Sequence, residues 1–345
     1  MNRTSFVILF LLITSLFGSC TESSDREIDI TNSVISIQID RFEKEIFDPK
    51  NIDSNWVNHL QDKYQDLFTV YVERILNFGS HHDPALPMYL DHYTSDIAVN
   101  KLYKAVDTSF TNIEEQRTSI ENGMKRFNQL FPDKNIPKIA TFVNGFTYYN
   151  GTVLPKKVFV SKQYLAIGLD MYLGNDFPVY TKLGFPKYFL NTMSKEFIVQ
   201  DLFKGFTYTE FFNTDHLPDE LVYRMIYEGR LLYLVDQLIP DHTLDGICGF
   251  TPQQLKWCED NEEQMWKSIV NNKLLYEKSA IKVDPFFTDG PFTKDFPKES
   301  PAKAASWLGY KIVLSYMENN NTGILELMQM NDIKSIFVAS KYKPS

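Results

Sequence analysis

The spacing of apolar residues changes several times along the chain, and each change predicts a different element. Residues 34–42, VISIQIDRF, alternate apolar and polar at the two-residue period of a half-buried strand. From there to about Leu130 the apolar positions recur at helical spacing, in WVNHLQDKYQDLFTVYVERIL and again in IEEQRTSIENGMKRFNQLF, until PDKNIP breaks the pattern. A β-rich patch follows, KIATFVNGFTYYNGTVLPKKVFVSKQYLAIGLDMYLG, with two or three strand-like runs and turn signals at Asn144-Gly145 and Asn150-Gly151. The remainder reads as helix. FPKYFLNTMSKEFIVQDLFKG is expected to stop at Gly205 as a C-cap, and DELVYRMIYEGRLLYLVDQLIP to run from near Asp219 to Pro240. Thr251, Pro252 and Gln254 have the spacing of a capping box with proline in the first turn, opening helix over about 251–276, and another helix is expected over about 303–318. The pattern predicts an α+β protein, mostly helical with a small mixed β-sheet. Residues 35–345 are read as a single domain, with a helical part over about 35–135 and a second part over about 136–345.

The first twenty residues change the picture of where the protein works. MNRTSFVILFLLITSLFGSC carries Arg3, an apolar run from Phe6 to Ile13, then Gly18 and Ser19 before a cysteine, the layout of an export signal. The apolar run falls short of the ~20 residues that a spanning helix needs. Residues 1–19 are therefore read as a signal peptide and Cys20 as an acylated first residue, as in the lipobox of bacterial lipoproteins, with 20–34 as a polar tether; an ordinary secretory signal with an incidental cysteine is the alternative. Several acyl chains at ~0.8 kcal/mol per buried methylene would hold the chain on a membrane. Thr21, where inner-membrane lipoproteins often carry aspartate, favours the outer membrane over the inner. The net charge of -9 is spread along the chain, which suits solubility and excludes a general nucleic-acid surface. Besides Cys20 there are two cysteines, Cys248 and Cys258; in an oxidising compartment they could pair, and two buried thiols are the equal alternative.

Candidate chemistry is sparse. On a helical wheel Glu228 falls among Leu231, Leu232, Val235 and Ile239, so its carboxylate faces apolar surroundings and requires a partner. It is read as a buried structural carboxylate whose best partner is Lys195, with a metal-ligand role as the sharper alternative. No His-Glu-x-x-His occurs; the nearest pattern before Glu228, Lys195-Glu196-Phe197-Ile198-Val199, keeps only the glutamate, which argues against a zinc hydrolase of that type. His81, His82, Asp83, Asp91 and His92 cluster around Pro84 and Pro87, a pattern that fits a solvated loop better than a metal site, and His216 and His242 flank the Glu228 segment. There is no nucleophile elbow, phosphate loop or dinucleotide fingerprint. Catalytic residues, metal and cofactor are all read as none. In the loop FFTDGPFTKDF, the residues Phe286, Phe287, Phe292 and Phe296 would make a partner-binding surface if half of them were exposed.

Several stretches together resemble the GldB family of gliding-motility lipoproteins: Tyr227-Glu228-Gly229 with Leu238-Ile239-Pro240, then TPQQLKWCEDNEEQMW, DGPFTKDF, SPAKAASWLGYKIVLSYM and SKYKP, besides the lipobox. Ala302 and Ala305 stand where that family would carry glycines. The resemblance implies a lipid-anchored protein of the cell envelope, needed for gliding, with other motility or secretion components as partners and no enzyme activity. It also implies a fold distantly similar to zincin metalloproteases, over about 136–345, that has lost the metal-binding histidines. The rival expectations are a zincin-like envelope hydrolase whose site is non-standard or completed by a partner, and a carrier or sensor using the pocket that such a fold would leave.

Overall fold

The alternating segment near the start and the apolar runs after Pro137 meet in one sheet. In the computed structural model, which describes residues 28–344 apart from 49–51, 147, 150–151, 154–155 and 212–216, strand β1 (Ile39–Arg41) pairs in parallel with β2 (Lys138–Phe142), Ile39 opposite Ile139. β3 (Tyr148–Tyr149) and β4 (Thr152–Val153) form a separate antiparallel ladder. β5 (Val158–Val160) runs antiparallel to β6 (Tyr164–Gly168), which lies parallel to β2, giving the order β1-β2-β6-β5. The fold is α+β, helix-rich around a small mixed sheet. Cys20, the signal segment, most of the tether, Asn150-Gly151 and His216 lie outside the described residues.

Both faces of the sheet are covered, which is why KIATF and YLAIG are apolar at nearly every position. Successive side chains point to opposite faces. Ala140, Phe142, Tyr164 and Ala166 therefore enter one core, with Leu60 and Tyr64 of α1 (Ser54–Tyr64) and with Phe68 and Leu90. Ile139, Leu165 and Ile167 enter the other, larger core, which takes in Phe127 of α2 (Glu114–Leu130) and the C-terminal helices. Of the strand expected over 34–42 only Ile39–Arg41 pairs. The chain turns helical at Phe42 because Phe42 and Ile46, four residues apart, then fill the first core together.

The C-terminal helices pack by close backbone approach. α3 (Ile198–Phe211) continues through Gly205, where a C-cap was expected; a Cβ there would lie 3.0 Å from Val158 Cγ1, so the glycine lets α3 lie against β5. α4 (Leu221–Leu238) is buried on nearly all sides. Even Arg230 is 7% exposed, its Nη1 donating to the carbonyls of Leu327 and Met330 at 3.2 and 2.7 Å. α5 (Pro252–Asp260) opens with the capping box formed by Thr251 and Gln254. α6 (Ala304–Asn319) crosses α4 at Gly229 and Gly309: a Cβ on Gly309 would sit 1.7 Å from the Met225 carbonyl oxygen, and one on Gly229 2.2 Å from the Gly309 carbonyl carbon. The Glu-Gly pair of α4 is thus a contact of helix backbones, and it sets Glu228 beside the first turn of α6. That turn is shaped by Lys303 in the left-handed region, φ 61°, while Ala304 and Ala305 are fully buried. Among the described residues no helix is long and apolar enough to cross a membrane.

The loop FFTDGPFTKDF closes onto this crossing, and the partner-binding surface expected there is not formed. Phe286 and Phe296 are core residues, edge to face at 5.5 Å, and Phe287 and Phe292 are half-buried. What turns the loop inward is Thr293. Its hydroxyl donates to the Pro301 carbonyl at 2.7 Å and accepts from the Ala304 amide at 2.9 Å, so it satisfies a first-turn amide of α6 from eleven residues upstream.

Candidate functional site

Where α3 passes in front of α4 and the first turn of α6, a cleft remains. Asp201, Lys204, Gly205 and Tyr208 line it from α3, at the spacing of one helix face. Glu228 and Leu232 line it from α4, Cys248 and Phe250 from the turn before α5, and Lys303, Ser306 and Trp307 from α6. The cavity measures ≈ 290 Å³ and adjoins a second, more polar one of ≈ 200 Å³ that adds Lys157, Thr192 and Asp289 and shares Asp201, Lys204 and Lys303.

The floor is an ion triad. Lys157 Nζ donates to Asp201 Oδ2 at 3.0 Å, to the Thr192 carbonyl at 2.7 Å and to Thr192 Oγ1 at 2.6 Å, and Lys204 Nζ lies 2.8 Å from Asp201 Oδ1. The Tyr172 hydroxyl also donates to Asp201, at 3.2 Å. Burial by itself would raise the Asp201 pKa; the charges of Lys204 and Lys157 outweigh it and hold the carboxyl down to about 2. Lys157 is depressed by its own burial, which Asp201 only partly offsets.

Glu228, 5% exposed, stands opposite the triad. Its partner is Arg224, one turn earlier on the same helix, whose Nε–H reaches Oε1 at 3.2 Å; Arg224 in turn lies over the Phe287 ring at 5.2 Å. Lys195, the partner expected from sequence, is exposed in a short turn ahead of α3 and lines a separate groove with Phe110, Glu114 and Glu115. That short turn ends too early to reach α4. Burial pushes the Glu228 carboxyl up to about 7, only partly opposed by Lys303, because a single long contact to Arg224 does not replace the water that the carboxylate loses. Lys303 itself pairs with Asp289 at 2.7 Å. Trp307 is 1% exposed, and its Nε1–H has no hydrogen-bond partner among the described residues.

The histidine-poor stretch at Lys195-Glu196-Val199 is not the segment that faces Glu228: Glu196 is exposed and Val199 is packed in the core. The facing residues, Asp201 and Lys204, were not picked out from sequence. The signal was present in the four polar or small residues Asp201, Lys204, Gly205 and Tyr208 on one face of a helix whose core face carries Val199, Leu202, Phe203 and Phe206. An aspartate held by two ammonium groups presents positive charge to the cleft, which opposes a divalent cation beside Glu228. Among the described residues no three His, Cys, Asp or Glu side chains converge as metal ligands would. His81 Nδ1 is 2.6 Å from Glu73 Oε1 and its ring lies tilted against that of His82, centroids 3.9 Å apart, whereas Asp91 and His92 belong to the following helix, Leu86–Ser95. His242 is half-buried outside the cleft. Cys248 and Cys258 are both free thiols. The helix between them carries Cys258 into the core while Cys248 stays at the cleft, and burial pushes the Cys248 thiol up to about 12.

No curated protein and no solved structure matches the chain. One family model does, over residues 23–344, which is nearly the whole length and takes in the sheet, the Glu228-Gly229 crossing, the cleft and the Thr293 loop; the chain belongs to the family described as gliding motility protein GldB.

Proposed function

We propose that this gliding-motility protein is a non-enzymatic lipoprotein, held on the cell envelope by acyl chains on Cys20, whose folded body binds other components of the motility or secretion apparatus. Family membership supports a motility role and envelope association. The observation that carries the non-enzymatic reading is the Lys157–Asp201–Lys204 triad facing Glu228. A hydrolase of the zinc type would need neutral, metal-ligating side chains there. This chain instead carries ammonium groups there that neutralise the Asp201 carboxylate. The placement follows from the sequence layout around Cys20: an export signal, a cysteine and a polar tether, with the outer membrane as the favoured surface.

The test has two parts. Elemental analysis of the purified protein should find zinc well below one equivalent, and replacing the chromosomal copy with a Cys20→Ser form should abolish colony spreading. Stoichiometric zinc, or a protein that hydrolyses peptide substrates, would establish the envelope hydrolase instead. Normal spreading of the Cys20→Ser strain would overturn the anchoring claim.

A further inference from the structure

The cleft has a charge balance and an asymmetry of lining that the triad alone does not explain. Lys157 and Lys204 face one carboxylate, Asp201, while Lys303 is matched by Asp289 and Arg224 by Glu228. One positive charge is left over. Lys157 directs its donors to Thr192 and Asp201, but Lys204 makes only the Asp201 contact and Lys303 only the Asp289 contact among the described residues, and an ammonium has three donors. Beside these two lysines the lining is apolar, with Leu232, Phe250, Phe287 and Trp307, the last one helical turn on from Lys303. Trp307, whose indole N–H has no partner among the described residues, belongs to this lining; a buried donor without an acceptor is costly, and a bound acceptor would relieve it.

We propose that this cleft binds the C-terminal carboxylate of a peptide chain whose last side chain is apolar, the carboxylate at Lys204 and Lys303 and the side chain against Leu232, Phe250, Phe287 and Trp307. The two ammonium groups on Asp201 leave the triad one positive charge in surplus; a monoanion answers it, whereas a phosphate dianion would bring one negative charge more than the triad can match. The whole cavity measures ≈ 290 Å³ and is lined by charged as well as apolar groups, which suits a chain terminus with its last side chain better than an acyl tail. Glu228, on the same wall, is placed to accept an amide N–H from the incoming backbone, and it repels the carboxylate less for being partly protonated near neutrality. The proposal deepens the binding role given above and rests on it, since a catalytic cleft would cleave the peptide rather than retain it.

The test uses the full-length chain in detergent, titrated by calorimetry with N-acetyl-glycyl-phenylalanine, with the same peptide as its C-terminal amide, and with inorganic phosphate. The acid should bind, the amide should bind about tenfold or more weakly, and phosphate should give no saturable heat. Lys303→Met, a change at a partly exposed side chain outside the core, should raise the dissociation constant of the acid about fivefold or more, and Lys204→Met should do so as well. Equal affinity for acid and amide, tighter binding of phosphate than of the acid, or no heat from the acid at millimolar concentration would each overturn the site. Chromatography of the recovered peptide separates the two levels. A cleaved peptide would overturn the non-enzymatic reading, and an intact peptide that did not bind would remove only this cleft.

Discussion

Glu228 offers the sharpest test of the physical picture, because its burial fixes both the sign and the size of a pH effect. The perturbation is Glu228→Gln, which keeps the shape of the side chain and removes its titration. The carboxyl is pushed up to about 7 from an ordinary 4.5, so the folded state holds this proton where the unfolded state has released it. A raised carboxylic acid stabilises the fold below its unfolded pKa, and that contribution is lost as pH rises through the folded value. Two and a half pH units at ~1.4 kcal/mol each amount to about 3.5 kcal/mol in all, of which about 3 kcal/mol falls between pH 4.5 and 8, an upper limit because Arg224 lies 3.2 Å from Oε1. Urea unfolding followed by tryptophan fluorescence, run on the parent and the variant across that range, isolates the effect as the change in their difference; all other titrations cancel. The parent should lose about 3 kcal/mol relative to the variant as pH rises. Parallel curves from pH 4.5 to 8 would refute the reasoning and mean that Arg224 balances the buried carboxylate in full.

Two further changes probe the frame that holds the cleft. Gly309→Ala places a methyl 1.7 Å from the Met225 carbonyl oxygen, backbone that cannot rotate away, so it should cost about 3 kcal/mol or more in urea unfolding; a loss under ~1 kcal/mol would mean that the α4–α6 crossing is loose. Thr293→Val removes the hydroxyl that serves the Pro301 carbonyl and the Ala304 amide, both buried, and should cost about 2 kcal/mol and speed amide exchange at Ala304 and its neighbours; unchanged exchange there would show that another group caps α6.

The parts of this protein legible in its sequence are those governed by period and by local turn chemistry. KIATF and YLAIG read as strands because both faces of the sheet are covered, and the Thr251 capping box read correctly because all its hydrogen bonds lie within one turn. Glu228 among leucines gave away its burial through the wheel alone, since α4 is apolar nearly all round. Choices made between distant segments were not legible. Gly205 has the look of a helix end, yet its meaning lies in Val158, forty-seven residues earlier and on a different element. The phenylalanine loop looked like a surface because the sequence shows five aromatic or proline residues without a period, while the hydroxyl of Thr293 that draws the loop inward makes its contacts near residues 301 and 304.

The same distinction explains why the residues expected to face Glu228 lie five to six positions before Asp201. Reading for an absent His-Glu-x-x-His led to Lys195 and Glu196, because a search for a lost motif settles on the nearest surviving glutamate. The fold answers a different question, namely which face of α3 looks at Glu228, and that face begins at Asp201. There Lys204 and Lys157 hold an aspartate at about 2, while the glutamate across the cleft is pushed up to about 7. Two carboxyls facing one cavity are driven apart by the number of ammonium groups each touches. A divalent cation would bring them back together by favouring the ionised form of both, and it would have to displace Lys204 from Asp201 to do so. The lysines therefore place positive charge on the cleft, and that charge is what the recognition role proposed above rests on.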